Sequence, residues 1–333
     1  MKKNVLIGLV LSTLFVYLAI RGINFVDLAQ SFRSAHYVYM LPVVLAVLFA
    51  HALKSYRWGI IMESLVKYDQ VSLFILTSIG FMAVGMLPAR LGEFARPYLV
   101  KQKSGIRMSA TMATIIVERV FDLLALMVVM MVVVLRIALP PLIFRTGITA
   151  LTIAFSLFLV LIFLAVKKEF SLNTIDGIVG RLPARLAQPC KHLAHSFIEG
   201  LQILPDVKKT LYVAVLSIVI WATICLSAYM LFFAFALTLP LINAFALSVI
   251  IALGVMLPAA PGFVGTFHYA CVLGLTSFGV PKAEALTYAI ALHFLQMMPV
   301  VALGLLFLPF QKLSLPAFIR REEEEMAKED LEG

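Results

Sequence analysis

Charge is scarce in this sequence. Asp, Glu, Lys and Arg make up 14% of the 333 residues, against 62% hydrophobic residues. That balance excludes a soluble globular domain, whose surface needs far more polar side chains. Cysteine is scarcer still: Cys190, Cys225 and Cys271 are too few and too scattered for a disulfide framework. Cys190, His192 and His195 have a loosely metal-like spacing, but no fourth ligand stands nearby and no metal site is expected. The sequence also lacks a Gly-x-Ser-x-Gly, a P-loop Gly-Lys-Ser/Thr and a His-Glu-x-x-His. No polar stretch is long enough for a soluble catalytic domain. The chain is therefore read as a non-enzyme with no cofactor. The formal net charge of +9 is expected to report orientation and contact with anionic headgroups rather than nucleic acid.

What the sequence does have is long apolar runs. Those at 5–20, 37–53, 109–135, 147–166, 210–236 and 285–310 read as full membrane spans. The first has a signal-like shape without a small-x-small cleavage site and reads as an uncleaved helix. Two further runs, 71–87 and 241–257, are shorter and end at a shared tetrapeptide. The first copy is Met86-Leu87-Pro88-Ala89 and the second is Met256-Leu257-Pro258-Ala259. Each run is broken by Pro and Gly and then resumes, at 94–100 and 266–278 respectively. A pair of short, Pro/Gly-interrupted apolar segments in matching halves is the sequence sign of a transporter's binding site.

If each interrupted run and its return arm form a re-entrant hairpin, six full spans put both termini inside. The inside segments then hold Lys2, Lys3, Lys54, Arg57, Lys67, Lys101, Lys103 and Arg107, the Lys- and Arg-rich 167–209 segment, and the tail. Only Arg21, Arg33, Arg136, Arg145 and Lys282 fall outside. This is the bias that the positive-inside rule requires. The first hairpin enters from the cytoplasm and the second from the outer face, with tips meeting near mid-membrane. If all eight runs cross fully, the 167–209 segment falls outside, which the charge bias opposes.

The fold class that follows is an all-α polytopic membrane protein, with six full transmembrane helices and two re-entrant helical hairpins in an inverted pseudo-repeat. A single transmembrane domain covers 1–310, with halves of 1–145 and 146–310. Segment 167–209 is expected to be a cytoplasmic amphipathic helix or pair interrupted at Pro183 and Pro189, and 311–333 a charged tail.

Ionisable groups inside apolar stretches are expensive, so each is a candidate for function. Arg90, Glu93 and Arg96 share a face if the chain is helical from Arg90. Glu118 and Asp122 are i,i+4 neighbours with Arg119 between them. These three cations and three carboxylates either neutralise one another as a structural network or serve a ligand. For Arg90 and Arg96 the second reading is favoured, because a guanidinium fork suits a phosphate and the adjoining hairpin tip offers free N–H groups. The second hairpin supplies Pro258, Gly262, Gly265, Thr266 and His268. His293 and Gln296 share a face of the last span. All are expected to line or shape a substrate site.

The elements Leu87-Pro88-Ala89-Arg90-Leu91-Gly92-Glu93-Phe94-Ala95-Arg96, Glu118-Arg119-Val120-Phe121-Asp122 and Pro261-Gly262-Phe263-Val264-Gly265-Thr266 carry a resemblance. The chain resembles the lysylphosphatidylglycerol-synthase transmembrane-region family, also called flippase-like membrane proteins, over nearly its whole length. The resemblance implies paired re-entrant helices and movement of a lipid headgroup between leaflets. It implies anionic or aminoacylated phospholipids, or polyprenyl-phosphate-linked sugars, as substrates. Many members carry a glycine followed by a glutamate in the second hairpin, where this chain has Phe263 and His268. The soluble aminoacyltransferase domain of bifunctional members is absent from this sequence.

The expectation is a lipid flippase of the cytoplasmic (inner) membrane with both termini cytoplasmic, in which Arg90 and Arg96 clamp the phosphate. Its partners are the membrane and an anionic or phosphate-bearing lipid, with no nucleic acid. A second copy of the chain or a glycosyltransferase remains open as a protein partner. Two rival classes are an intramembrane lipid-phosphate transferase or hydrolase, and a docking subunit for a glycosyltransferase.

Overall fold

The computed structural model describes residues 2–87, 92–137, 141–181, 183–257 and 260–311. Among these, every regular element is helical. In chain order the helices are α1 (Lys2–Ile20), α2 (Phe25–Arg33), α3 (Met40–Met62), α4 (Gln70–Met86), α5 (Ala95–Ser104), α6 (Met108–Val134), α7 (Pro141–Val166), α8 (Lys168–Val179), α9 (Ala184–Gly200), α10 (Val207–Ala234), α11 (Leu241–Val255), α12 (Thr266–Ser277) and α13 (Lys282–Phe307). Three of the described helix starts carry polar side-chain caps. Asn24 accepts from the Val26 N–H, Asp69 from the Ser72 N–H and Asp206 from the Lys209 N–H, each satisfying a first-turn donor. Gly105 ends α5 in the left-handed conformation that glycine takes without strain.

Among the described residues, four helices are long and apolar enough to cross a membrane: Tyr37–Met62, Phe144–Val166, Val207–Ala234 and Lys282–Gln311. A fifth span arises if α1 and α2, bent by 82°, count as one. The 27-residue α6 is long enough to cross at 1.5 Å per residue. Glu118, Arg119 and Asp122 keep it out of that apolar class. Large apolar side chains such as Leu41, Leu45 and Phe49 on α3, and Ile153, Leu159 and Phe163 on α7, lie exposed, as a lipid-facing surface requires.

The two interrupted hairpins are α4–α5 and α11–α12. They pack against opposite ends of the same two helices. The first hairpin buries Leu76, Ile79 and Leu99 with Trp58 and Met62 near the end of α3 and Val301 in the second half of α13. The second buries Leu247, Phe267 and Cys271 with Val43 near the start of α3 and Leu286, Tyr288 and Leu292 in the first half of α13. Small residues let these backbones meet, as they must where lipid supplies no hydrophobic drive. A Cβ on Gly304 of α13 would meet Met82 Cβ at 2.3 Å, and one on Gly254 would meet Ala270 Cβ at 2.5 Å.

Two sequence expectations need correction. The second span does not stop near Leu53; α3 continues to Met62, so Lys54 and Arg57 are on a helix inside the protein and not in a loop. A 3-10 turn over 92–94 leads directly into α5, so Glu93 and Arg96 stand three residues apart on continuous helical backbone, while Arg90 lies outside the described residues. Pro189 interrupts nothing: it lies inside α9, while Pro183 precedes that helix as its cap residue.

Candidate functional site

The centre of the molecule is a charge cluster where α3, α5, α6 and α10 meet. Glu118 of α6 has no exposed surface. It accepts both arms of the Arg96 fork, Nη1 to Oε2 at 2.9 Å and Nη2 to Oε1 at 3.3 Å. Arg57 Nη2 stands 3.7 Å from Glu118 Oε1. Arg57 Nη1 donates to Asp122 Oδ1 at 2.7 Å and to Ser217 Oγ of α10 at 2.6 Å. The expected i,i+4 alignment of Glu118 and Asp122 is thus real, and Arg57 is what both carboxylates face. Buried charges persist only when paired and hydrogen-bonded. In this cluster each carboxylate holds down at least one guanidinium.

The fork of Arg96, expected on a phosphate, is on Glu118. Its aliphatic stem passes over α4 at Gly80, where a Cβ would meet Arg96 Cγ at 2.3 Å. The guanidinium also lies over the rings of Trp58, at 4.9 Å, and Phe81, at 5.3 Å. Phe81 gathers two further cations, with Lys54 Nζ at 5.1 Å and Arg119 Cζ at 5.7 Å from its centroid. Cations are drawn to an aromatic face most strongly where water is excluded. Among the described residues Arg119 Nη1 has a long contact, 3.8 Å, with Asp122 Oδ2.

Beside this cluster a cavity of about 470 Å³ opens between the two hairpins. Lys54, Glu93, Arg119, Asp122, Trp221, Ser248 and Gln296 bring polar groups to its lining, and Leu126, Ile251, Val255 and Leu292 are among its apolar walls. An adjoining lobe of about 220 Å³ shares Lys54, Phe81, Phe263 and Gln296 and adds His51 and His293. His51 is engaged with Ser78 Oγ at 2.9 Å.

The described part of the second hairpin's tip is held by hydrogen bonds to its backbone groups. His293 Nε2 donates to the Gly262 carbonyl at 2.7 Å. Gly262 sits at φ 67°, and a Cβ there would meet Met297 Cε at 2.8 Å and the Gly85 carbonyl oxygen at 3.3 Å. The two interrupted segments therefore touch, Gly85 to Gly262. On the far side Ser12 of α1 accepts from the Ala260 N–H at 2.6 Å, and a Cβ on Gly265 would meet the Ser12 carbonyl oxygen at 2.5 Å. Thr266 is buried and donates to the Phe263 carbonyl. His268 packs edge-on against His293, with 4.8 Å between ring centroids.

Of the residues expected at the site, Glu93, Arg119, Asp122, His293 and Gln296 line the cavity or its lobe. Arg96 and Glu118 frame it, and Gly262, Gly265, Thr266 and His268 build the second tip. Arg90 and Pro258 lie outside the described residues. Lys54, Arg57, Ser217 and Ser12 were missed. A signal existed for the first two: His51, Lys54 and Trp58 recur at helical spacing beside Arg57, and the carboxylates on α6 required cations from elsewhere.

A bundle of apolar helices with two interrupted hairpins around a charged central cavity defines the chain as a multi-pass membrane protein. A model of the lysylphosphatidylglycerol synthase TM region family matches residues 5–304, and the chain belongs to that family. It is also similar to two proteins of Methanothermobacter thermautotrophicus (strain Delta H), each named "UPF0104 membrane protein". One is 21% identical over 299 residues, covering 85% of this chain and 88% of the relative. The other is 25% identical over 272 residues, covering 77% and 78%. No solved structure matches the chain. The family ties the protein to membrane lipids.

Proposed function

We propose that the protein is a lipid flippase that takes a phosphate-bearing headgroup into the cavity between the two hairpins and releases it to the other leaflet by alternating access. The observation that carries this reading is the charge balance at the cavity. Among the described residues, the cluster and cavity hold four cations, Lys54, Arg57, Arg96 and Arg119, against three carboxylates, Glu93, Glu118 and Asp122. One positive charge is left over in a space with apolar walls, which suits an anionic headgroup with acyl chains attached. Arg57, Arg96, Glu118 and Asp122 form the rigid frame. Arg90 keeps the phosphate role given it from the sequence, and Arg119 faces the cavity.

The packing also supports six spans with two re-entrant hairpins of opposite sense. The hairpins occupy opposite ends of α3 and α13, as an inverted arrangement requires. On this topology both termini are cytoplasmic and the membrane is the cell's inner one. The test is transbilayer movement of fluorescent lipids in proteoliposomes. Movement of a phosphate-bearing lipid, and not of a neutral one, is the expected result. No movement of any anionic lipid, polyprenyl phosphate included, would replace the flippase with a docking subunit. Chemical turnover of the lipid would replace it with an enzyme.

A further inference from the structure

Three hydrogen-bond donors on the cavity lining meet no acceptor among the described residues, although carboxylates line the same space. Lys54 lines both of its lobes. Among the described residues Nζ has no carboxylate within 4 Å and donates no hydrogen bond, although Glu93 and Asp122 line the same space; Asp122 is held by Arg57 at 2.7 Å. Two further donors on the lining, Arg119 Nε and Trp221 Nε1, are buried without an acceptor. An ammonium, a guanidinium nitrogen and an indole N–H thus border one cavity, and none of them donates a hydrogen bond among the described residues. Leaving such groups unmet costs free energy, and three of them around one space mark a site for an acceptor-rich anion.

We infer that Lys54, Arg119 and Trp221 form the recognition site for a phosphate ester, with Lys54 as the principal contact. This rests on the flippase reading for the source of the ligand, but not for its chemistry. A tetrahedral phosphate offers several acceptor oxygens and carries the negative charge that Lys54 lacks a partner for. Lysine meets phosphate as a compact point charge without the fixed geometry of an arginine fork. The apolar walls favour an ester bearing acyl chains over the free ion.

The test uses purified protein in detergent with Trp58→Phe as background. The chain has two tryptophans, so Trp221 is then the only one and reports binding by its fluorescence. The probes are dihexanoyl phosphatidic acid, inorganic phosphate and dihexanoylglycerol. Phosphatidic acid is expected to change Trp221 emission and raise the Tm, and dihexanoylglycerol to do neither. A response to phosphatidic acid alone assigns the site to a lipid headgroup; an equal response to inorganic phosphate assigns it to the free ion.

Lys54→Met and Lys54→Gln should each weaken phosphatidic acid binding about 10- to 100-fold, the worth of a charge-assisted hydrogen bond, and Lys54→Arg should retain most of it. Without ligand, Lys54→Met should melt higher than the parent, because an unpartnered cation is removed. A lower Tm or failure to fold in both Lys54→Met and Lys54→Gln would show a structural lysine and overturn the inference. So would wild-type affinity in those variants, or no response of the parent to any phosphate probe. Binding through Lys54 without lipid movement in vesicles would leave this site standing and remove the flippase.

Discussion

The two interrupted hairpins share a tetrapeptide and are fixed by different physics. The first is tied to its neighbours by charge: Arg96 of α5 grips Glu118 of α6, and Arg57 of α3 closes the cluster through Asp122. The second has no ion pair at its described tip. It is held by the His293–Gly262 hydrogen bond, by Ser12 on the Ala260 N–H and by glycines that admit neighbouring backbone. A buried ion-pair cluster tolerates little displacement, because moving one partner strands another. Backbone hydrogen bonds and glycine contacts exchange at lower cost. The comparison teaches that the repeated motif sets only where the chain breaks, while the partners of each break decide which side is anchored. The second hairpin is the better suited to move.

Breaking the anchor gives the largest effect. Glu118→Gln leaves two buried guanidiniums short of a partner and should destabilise the protein by about 3–5 kcal/mol, read as a fall in Tm in detergent. Adding Arg96→Met to Glu118→Gln should restore part of the loss, since the two residues are in contact.

Gly80→Ala sharpens the same side. Its methyl needs the space of the Arg96 stem and should cost about 1–3 kcal/mol by overpacking, despite alanine's better helix propensity. On the other side, Gly262→Ala places a side chain at φ 67°, a cost of about 1–2 kcal/mol, with Met297 in the way. If both glycine variants melt like wild type, the close contacts drawn at the two tips are wrong.

His293→Phe removes a single hydrogen bond to Gly262 and should cost about 1 kcal/mol. It should increase amide exchange in 260–266 while leaving α5 unchanged. Equal exchange at both hairpins would remove the asymmetry.

The smallest effect is at the start of α4. The Ser72 hydroxyl and N–H hold the Asp69 carboxyl below its ordinary range. The cap is therefore fully present above the ordinary carboxylate pKa and is lost as pH falls through the lowered value. Protection of the first α4 amides, taken relative to their intrinsic exchange rate at each pH, should fall in acid, and Asp69→Ala should abolish that pH dependence.

Much of the architecture was legible in the apolar runs. The ends of α6, α10, α11 and α12 fall within a few residues of the runs that announce them, because Pro, Gly and charge bound them cleanly. The site was harder to see. Lys54 and Arg57 look like the end of a span because a charge normally marks the water boundary. Here Glu118 and Asp122, more than sixty residues later, neutralise Arg57, and a single apolar run carries no trace of that pairing. Ser12 is one hydroxyl in an apolar helix, and its partner at Ala260 lies on the second hairpin at the other end of the chain. Arg96 was recognised as important, but spacing within α5 does not reveal that α6 occupies its fork.

The most direct test of the central claim is to fill the cavity and measure lipid movement. Ala252 lines the larger lobe, away from the ion-paired frame, and Ala252→Trp puts an indole into the space proposed for the headgroup. Vesicles holding equal amounts of folded wild-type and Ala252→Trp protein, matched by elution profile and Tm, are compared for transbilayer movement of a fluorescent anionic phospholipid. The account predicts movement with wild type and its loss with Ala252→Trp. Equal rates for the two proteins would contradict it, because the lipid would then be crossing without entering the cavity between the hairpins.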